Sequence, residues 1–317
     1  MIELFKNSVA YKIVSGDKKK GFLSHAYMLV CDDLIALPTF LKVIAKTIAC
    51  ESESYCGECR YCRLIEKGTH SDVTSYPKGD AKKIVVADID ELISQTYIKP
   101  LEGEKRIFIL NYAESMNTAS QNKLLKTLEE PPKGVYILLG VTNENAMLST
   151  VKSRVKKLEI SAFSEEQLFN AFKSVCPDEN KLREAIALSD GRAGSVKEFY
   201  DQEEIGCSAL VNDVLLNMQT SRDVLTYSAK LTKDNLRDFL LSLKKSMQQI
   251  IYAHTGKSTD NGVIGSLCGI YSVASALGIV AKINEAERAL YFNGNLNMIA
   301  DGILLSVLEE KYKWKKL

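Results

Sequence analysis

At 317 residues the chain is too long for one ordinary core and asks for two or three domains. Its 46% apolar and 26% charged residues match an average globular protein, and a net charge of +1 excludes a global attraction to nucleic acid or membrane, so any DNA contact has to be local. No apolar run reaches the roughly 18 residues of a membrane span, and Met1-Ile2-Glu3-Leu4-Phe5-Lys6-Asn7 has no continuous apolar h-region, which predicts a cytoplasmic protein with no membrane partner.

Short apolar, β-branched runs predict strands at 26–30, 72–76, 106–110, 135–140 and 155–160. Helical patterns fill the gaps at 38–49, 88–99 and 119–130, and this alternation predicts a parallel sheet with helices on both faces. Between the first strand and the first of these helices, a nucleotide-hydrolysing site needs glycines that turn backbone N–H groups toward phosphate, a lysine for the outer phosphates and a hydroxyl for magnesium. The chain has Cys31-Asp32-Asp33-Leu34-Ile35-Ala36-Leu37 there, and two aspartates at the mouth of a helix repel a triphosphate. No ATP binding is expected from such a loop.

Next come Cys50, Cys56, Cys59 and Cys62, four of the eight cysteines, in the spacing C-x5-C-x2-C-x2-C. Four thiolates close a tetrahedral zinc site, and C-x2-C steps aim successive sulfurs at one metal through a tight turn that Gly57 assists. With no open position, the zinc is expected to be structural. His70 is a spare donor in a Gly-Thr-His loop, better read as a packing residue and left outside the metal site.

The third strand runs into Asn111 and Tyr112, where a working site places an aspartate for magnesium and a glutamate for the attacking water. This second loss in the same site makes intrinsic hydrolysis improbable. Leu124, Leu125 and Leu128 form one apolar helical face that Pro131-Pro132 stops. After Ile160 the strand pattern ends: Ser164-Glu165-Glu166-Gln167 opens a helix with a capping-box signal, and Cys176-Pro177 and Gly191-Arg192-Ala193-Gly194 interrupt the helices that follow. From about residue 203 long amphipathic patterns such as Leu236, Phe239, Leu240 and Leu243 predict a further helical domain.

The string Asn122-Lys123-Leu124-Leu125-Lys126-Thr127-Leu128-Glu129-Glu130-Pro131-Pro132 resembles the most recognisable stretch of bacterial DNA polymerase III clamp-loader subunits, the tau/gamma and delta-prime proteins. Further matches lie in family order: His25-Ala26-Tyr27, the four-cysteine module, Lys99-Pro100, Thr142-Asn143 at the first-sensor position, Leu148-Ser149-Thr150-Val151-Lys152-Ser153-Arg154, and Asn293-Gly294-Asn295 near the C-terminus. The resemblance is strong over 25–160 and weak over 165–285, and Val155 departs from the family's usual cysteine. The lost phosphate loop makes the chain similar to delta-prime rather than to the hydrolysing tau/gamma subunits.

The resemblance implies an AAA+-type α/β domain over 1–161 with a degenerate phosphate loop and a zinc module at 50–62. A three-helix lid-like domain over 162–203 and an all-α collar over 204–317 complete the expected layout. It also implies a ring with tau/gamma ATPase subunits and a delta subunit that loads the sliding clamp onto primed DNA. Within it, this subunit acts as a stator, and Arg154, with Ser153, reaches a neighbour's γ-phosphate as an arginine finger. Without the resemblance Arg154 reads as one cation among Lys152, Lys156 and Lys157, a solvated basic patch. Arg192 is given no role, and the basic runs Lys18-Lys19-Lys20 and 311–317 are minor candidates for DNA contact.

Two other functions fit some of these features. One is an active AAA+ ATPase with a non-standard phosphate loop, which saturable binding of an ATP analogue reveals. The other is a zinc-dependent nucleic-acid module acting alone, disfavoured because Glu51, Glu53 and Glu58 outnumber Arg60 and Arg63 around the cysteines.

Overall fold

The computed structural model describes residues 1–79, 81–201, 207–255 and 262–313. They form two compact units, Met1–Tyr200 and Asp201–Leu317. The expected boundary near 204 and the end of the basic tail, 314–317, lie outside the described residues.

The first unit opens with α1 (Ile2–Asn7) and α2 (Val9–Lys19), which the sequence reading did not foresee. Ser8 separates them in an extended conformation, and its hydroxyl accepts the Tyr11 N–H to cap α2. Phe5, Tyr11 and Val14 are buried, and Phe5 stacks on Phe40 with ring centroids 4.8 Å apart. Then follow β1 (Ala26–Cys31), α3 (Leu37–Ala49), α4 (Arg60–Lys67), β2 (Val73–Tyr76), α5 (Val86–Thr96), β3 (Arg106–Leu110), α6 (Thr118–Glu129), β4 (Val135–Val141), a single turn α7 (Ser149–Lys152) and β5 (Lys156–Ile160).

All strand pairs are parallel, in the order β2-β3-β4-β1-β5. Every pairing except β1·β5 and β3·β4 is read through Met28↔Leu139 and Thr74↔Phe108, while Met28 faces Lys157 on the other side of β1 and Phe108 faces Ile137. Burial explains the composition: β1, β3 and β4 are covered on both faces and are almost wholly apolar, whereas the edge strand β5 exposes Lys156, Lys157 and Glu159. The result is the expected α/β layout, an open parallel sheet with helices around it.

Some boundaries differ from expectation for physical reasons. Asp72 precedes β2, and its buried carboxylate accepts the N–H groups of Leu101 and Glu102, both at 2.7 Å. Helix α5 ends at Thr96 rather than Lys99, because Tyr97 and Ile98 close tight turns onto Ser94 and Gln95 and Lys99, preceding Pro100, is biased away from helical geometry. Beyond β5 lie α8 (Glu165–Phe172), α9 (Glu179–Ser189) and α10 (Ala193–Asp201). Ser164 and Gln167 make the expected capping box, and Asp178 caps α9 immediately after Pro177. Leu168, Phe172, Leu182, Ile186 and Val196 pack together with Leu4 of α1.

The second unit is helical throughout its described residues: α11 (Ser208–Asn217), α12 (Ser221–Ser228), α13 (Leu236–His254), α14 (Gly262–Cys268), α15 (Val273–Tyr291) and α16 (Leu296–Lys313). Phe239, Leu243, Met247, Tyr271, Ile279, Ile283 and Leu304 lie at its centre. The buried Lys311 ammonium donates to the carbonyls of Leu215 (3.1 Å), Leu216 (3.1 Å) and Met218 (2.8 Å), so its three protons close the C-terminal end of α11. Asn293 in the left-handed region and Asn295, whose side chain accepts the Met298 N–H at 3.2 Å, make the turn into α16. No single helix among the described residues is long and apolar enough to cross a membrane.

Candidate functional site

The cysteine module is assembled by two helix ends. Cys50 follows α3 in extended conformation, and Cys59 is the N-cap of α4, its sulfur accepting the Cys62 N–H at 3.4 Å. Between them Gly57, at φ 80°, turns the chain so that the Cys56 sulfur accepts the Cys59 N–H at 3.3 Å. The Cys50 sulfur lies 3.7 Å from that of Cys56 and 3.8 Å from that of Cys59, and all four sulfurs lie within 4.8 Å of one another.

A tetrahedron with metal–sulfur bonds of about 2.3 Å has sulfurs about 3.8 Å apart, so the four thiols fit zinc in spacing and in donor chemistry. Backbone N–H groups of Cys59 and Glu58 hold the exposed Cys56 thiol down at about 6, while burial pushes Cys62 up to about 12. His70 stands apart from the four donors: its Nδ1 accepts the Asp72 N–H at 3.0 Å and its ring stacks on Tyr61.

Two lysines of the basic run at 18–20 are committed to this module. Lys18 donates to the Cys50 carbonyl, and Lys19 pairs with Glu53 at 3.2 Å. Lys105 donates to the Ile48 carbonyl at 2.6 Å from the opposite end of the sequence stretch. Burial lowers the proton affinity of both Lys18 and Lys105, with nearby cysteines acting against it.

The loop after β1 closes on itself. Asp33 is 4% exposed, and its Oδ1 accepts the N–H groups of Ile35 (3.2 Å) and Ala36 (2.9 Å), while Oδ2 accepts the N–H of Gly194 at 2.8 Å, in the first turn of α10. Backbone donors that could face an anion thus converge on a carboxylate of the chain itself. Cys31 is buried, which pushes its thiol up to about 12, and Asp32 is exposed.

Tyr112 sits in the left-handed region at φ 57°, buried, with its hydroxyl donating to the Leu34 carbonyl at 2.7 Å. Asn111 donates from its backbone to the Tyr76 carbonyl at 2.8 Å. The structure therefore brings Tyr112 to the 31–36 loop. Beside it, Glu114 Oε1 accepts both the backbone N–H (2.8 Å) and the hydroxyl (2.5 Å) of Thr142, which orders the end of β4. Arg192 donates from Nε to the Ser189 carbonyl at 3.2 Å.

Arg154 follows the single turn α7 with its side chain about one-third exposed, and its Nε and Nη2 meet Glu129 Oε1 at 2.8 and 2.6 Å. Its Nη1 donates to the Thr150 carbonyl (2.8 Å) and the Ser153 hydroxyl (3.2 Å). Two of its cationic neighbours are paired separately, Lys156 with Asp17 and Lys157 with Glu144 and Glu159. Sequence reasoning missed Glu129, Glu114, Gly194, Lys18 and Lys105 as partners of these residues. Glu129, Gly194 and Lys18 lay inside strings already singled out, but nothing in those strings specified Arg154, Asp33 or the cysteines as their partners.

A family model described as "DNA polymerase III, delta subunit" matches residues 6–164, half of the chain. The gamma subunit of DNA polymerase III from Buchnera aphidicola is 27% identical over 73% of this chain and 64% of its own length. The delta' subunit from Haemophilus influenzae is 30% identical over 55% of this chain and 54% of its own. The tau subunit from Escherichia coli is 28% identical over 53% of this chain and 26% of its own, so the chain spans between about a quarter and two thirds of these curated relatives. Among solved structures, a gamma-subunit-related protein from Thermotoga maritima is 18% identical with a TM-score of 0.46, covering 94% of this chain and 99% of that one. The chain belongs to the DNA polymerase III clamp-loader family, related to the tau/gamma subunits.

Proposed function

We propose that this chain is the delta-prime-like member of a DNA polymerase III clamp loader, a subunit that does not hydrolyse ATP and serves as a fixed jaw while its partners cycle. The observation that carries this reading is the convergence of Ile35, Ala36 and Gly194 N–H groups on Asp33, with Tyr112 bonded to Leu34 beside it. An entering triphosphate would have to displace a buried carboxylate from its donors and would meet no lysine or hydroxyl in the 31–36 loop to repay the exchange. Asn111 in place of an acid supplies no anionic ligand for magnesium.

Within this reading the units divide as a sheet domain over 1–161, a lid-like domain over 162–203 and a collar over 204–317. The partners are tau/gamma ATPase subunits and a delta subunit, with the sliding clamp and primed DNA reached through the complex in the cytoplasm. Zinc on Cys50, Cys56, Cys59 and Cys62 is structural, since four protein donors fill a tetrahedron.

Arg154 contributes to a neighbour's chemistry. Glu129, Thr150 and Ser153 engage all three guanidinium nitrogens, and across a subunit boundary the guanidinium would exchange part of this set for charge developing on a γ-phosphate. Reconstitution with the ATPase partners, followed by clamp- and DNA-stimulated hydrolysis for wild type and Arg154→Ala, tests this. A finger supplied in trans is worth about 10³-fold or more, so turnover should collapse at that one interface while assembly persists. Unchanged turnover in an intact ring removes Arg154 from the account.

A further inference from the structure

Zinc held by four thiolates forms a centre of net charge −2, since four single negative charges meet one divalent ion. Such a charge at a folded surface needs compensation, and the N–H groups directed at the sulfurs, those of Cys59 and Cys62 among them, carry no net charge. Two ammonium groups stand beside the site instead. Lys18, in the last turn of α2, donates to the Cys50 carbonyl, and Lys105, just ahead of β3, donates to the Ile48 carbonyl at 2.6 Å.

Both carbonyls belong to the C-terminal end of α3, the helix that delivers Cys50. A helix end supplies only about half an elementary negative charge, too little to hold two cations that repel each other. Lys18 thus contacts the carbonyl of a ligand residue itself, and Lys105 contacts the carbonyl two residues ahead of it. Lys19, in contrast, turns to Glu53, and Arg60 turns to Glu102 at 3.2 Å, so these two cations are matched by carboxylates.

We propose that Lys18 and Lys105 are the counter-charges of a dianionic zinc–tetrathiolate centre and set how tightly this module retains its metal. This rests on the reading that the four cysteines hold zinc. The pair also accounts for part of the basic run at 18–20: its first member faces the metal site rather than DNA. Because the two lysines come from segments on either side of the cysteines, they tie α2 and the approach to β3 to one ion.

The test is zinc affinity of the full chain, measured by competition with a chromophoric chelator, with Co²⁺ substitution and its thiolate charge-transfer bands as a second readout. Wild type should bind zinc, and Lys18→Met combined with Lys105→Met should weaken it by about 10–100-fold, the usual cost of a lost outer-sphere partner. Lys18→Arg with Lys105→Arg, which keeps both charges, should stay within a few-fold of wild type.

Equal affinity of the methionine variant and wild type overturns the proposal, and so does an equal loss in the arginine variant, because packing and not charge then decides. If the double methionine variant does not fold, Lys18→Gln alone is judged by the same comparison with Lys18→Arg. A wild-type chain that binds no zinc instead defeats the zinc reading itself, an outcome distinct from either of these.

Discussion

The carboxylate of Asp33 accepts the backbone N–H of Gly194 at 2.8 Å across 161 positions of sequence. It thereby joins the loop after β1 to the first turn of α10. The chain supplies the anion itself, and the join does not depend on ATP.

Replacing Asp33 by alanine should therefore cost more than a surface change. The buried side chain accepts three backbone N–H groups, and hydrogen bonds to a charged acceptor are worth about 1.5–3 kcal/mol each with incomplete additivity, so denaturant unfolding should show a loss of about 2–4 kcal/mol. The amides of Ala36 and Gly194 should exchange faster. Gly194→Ala should disturb the same join, since a Cβ there would lie 2.6 Å from Asp33 Oδ1 and 2.8 Å from the Ala36 nitrogen. Wild-type stability and exchange in both variants would show that the join does not hold the loop.

Metal removal should act on a defined region. Cys62→Ser, or chelation of wild type, should abolish stoichiometric zinc and raise hydrogen exchange over 50–67 and along α2, because Lys18 and Lys19 reach the cysteine loop from that helix. Exchange in the second unit, Asp201–Leu317, should be unchanged. Exchange that rises equally in both units would mean that the metal supports the whole chain.

In the second unit Lys311 is the sensitive point. Lys311→Met removes the donor to three carbonyls at the end of α11 while preserving most of the side-chain volume, so the loss reports the polar contacts. The expected destabilisation is about 2–4 kcal/mol in denaturant unfolding of this unit. A loss below about 0.5 kcal/mol, the size of an ordinary surface change, would show that other donors replace the lysine.

The sheet was legible because burial on both faces forces continuous apolar strands: β3 falls on 106–110 as its composition alone requires, and β1 and β4 extend their expected spans by a residue at the C-terminal end. Helices α1, α2 and α4 were not legible. They are short or weakly apolar; α1 is held by the tertiary contact of Phe5 on Phe40, and α4 opens on a cysteine cap, a residue type outside the usual capping preferences. The cysteine centre could be read from spacing, since all four donors lie within one local turn system. Asp33 could be read only as a loss. Its gain is a bond to Gly194, and no local pattern connects residues so far apart in the chain. Glu129 and Arg154 were likewise both visible as parts of separate strings, but their pairing depends on where α6 ends beside α7.

The central claim is that this chain has closed its own nucleotide site, and equilibrium titration of the full chain with a non-hydrolysable ATP analogue and magnesium tests it most directly. The account predicts no saturable binding through the micromolar range in wild type. Saturable micromolar binding would contradict it and turn the reading toward an active ATPase with an unusual phosphate loop.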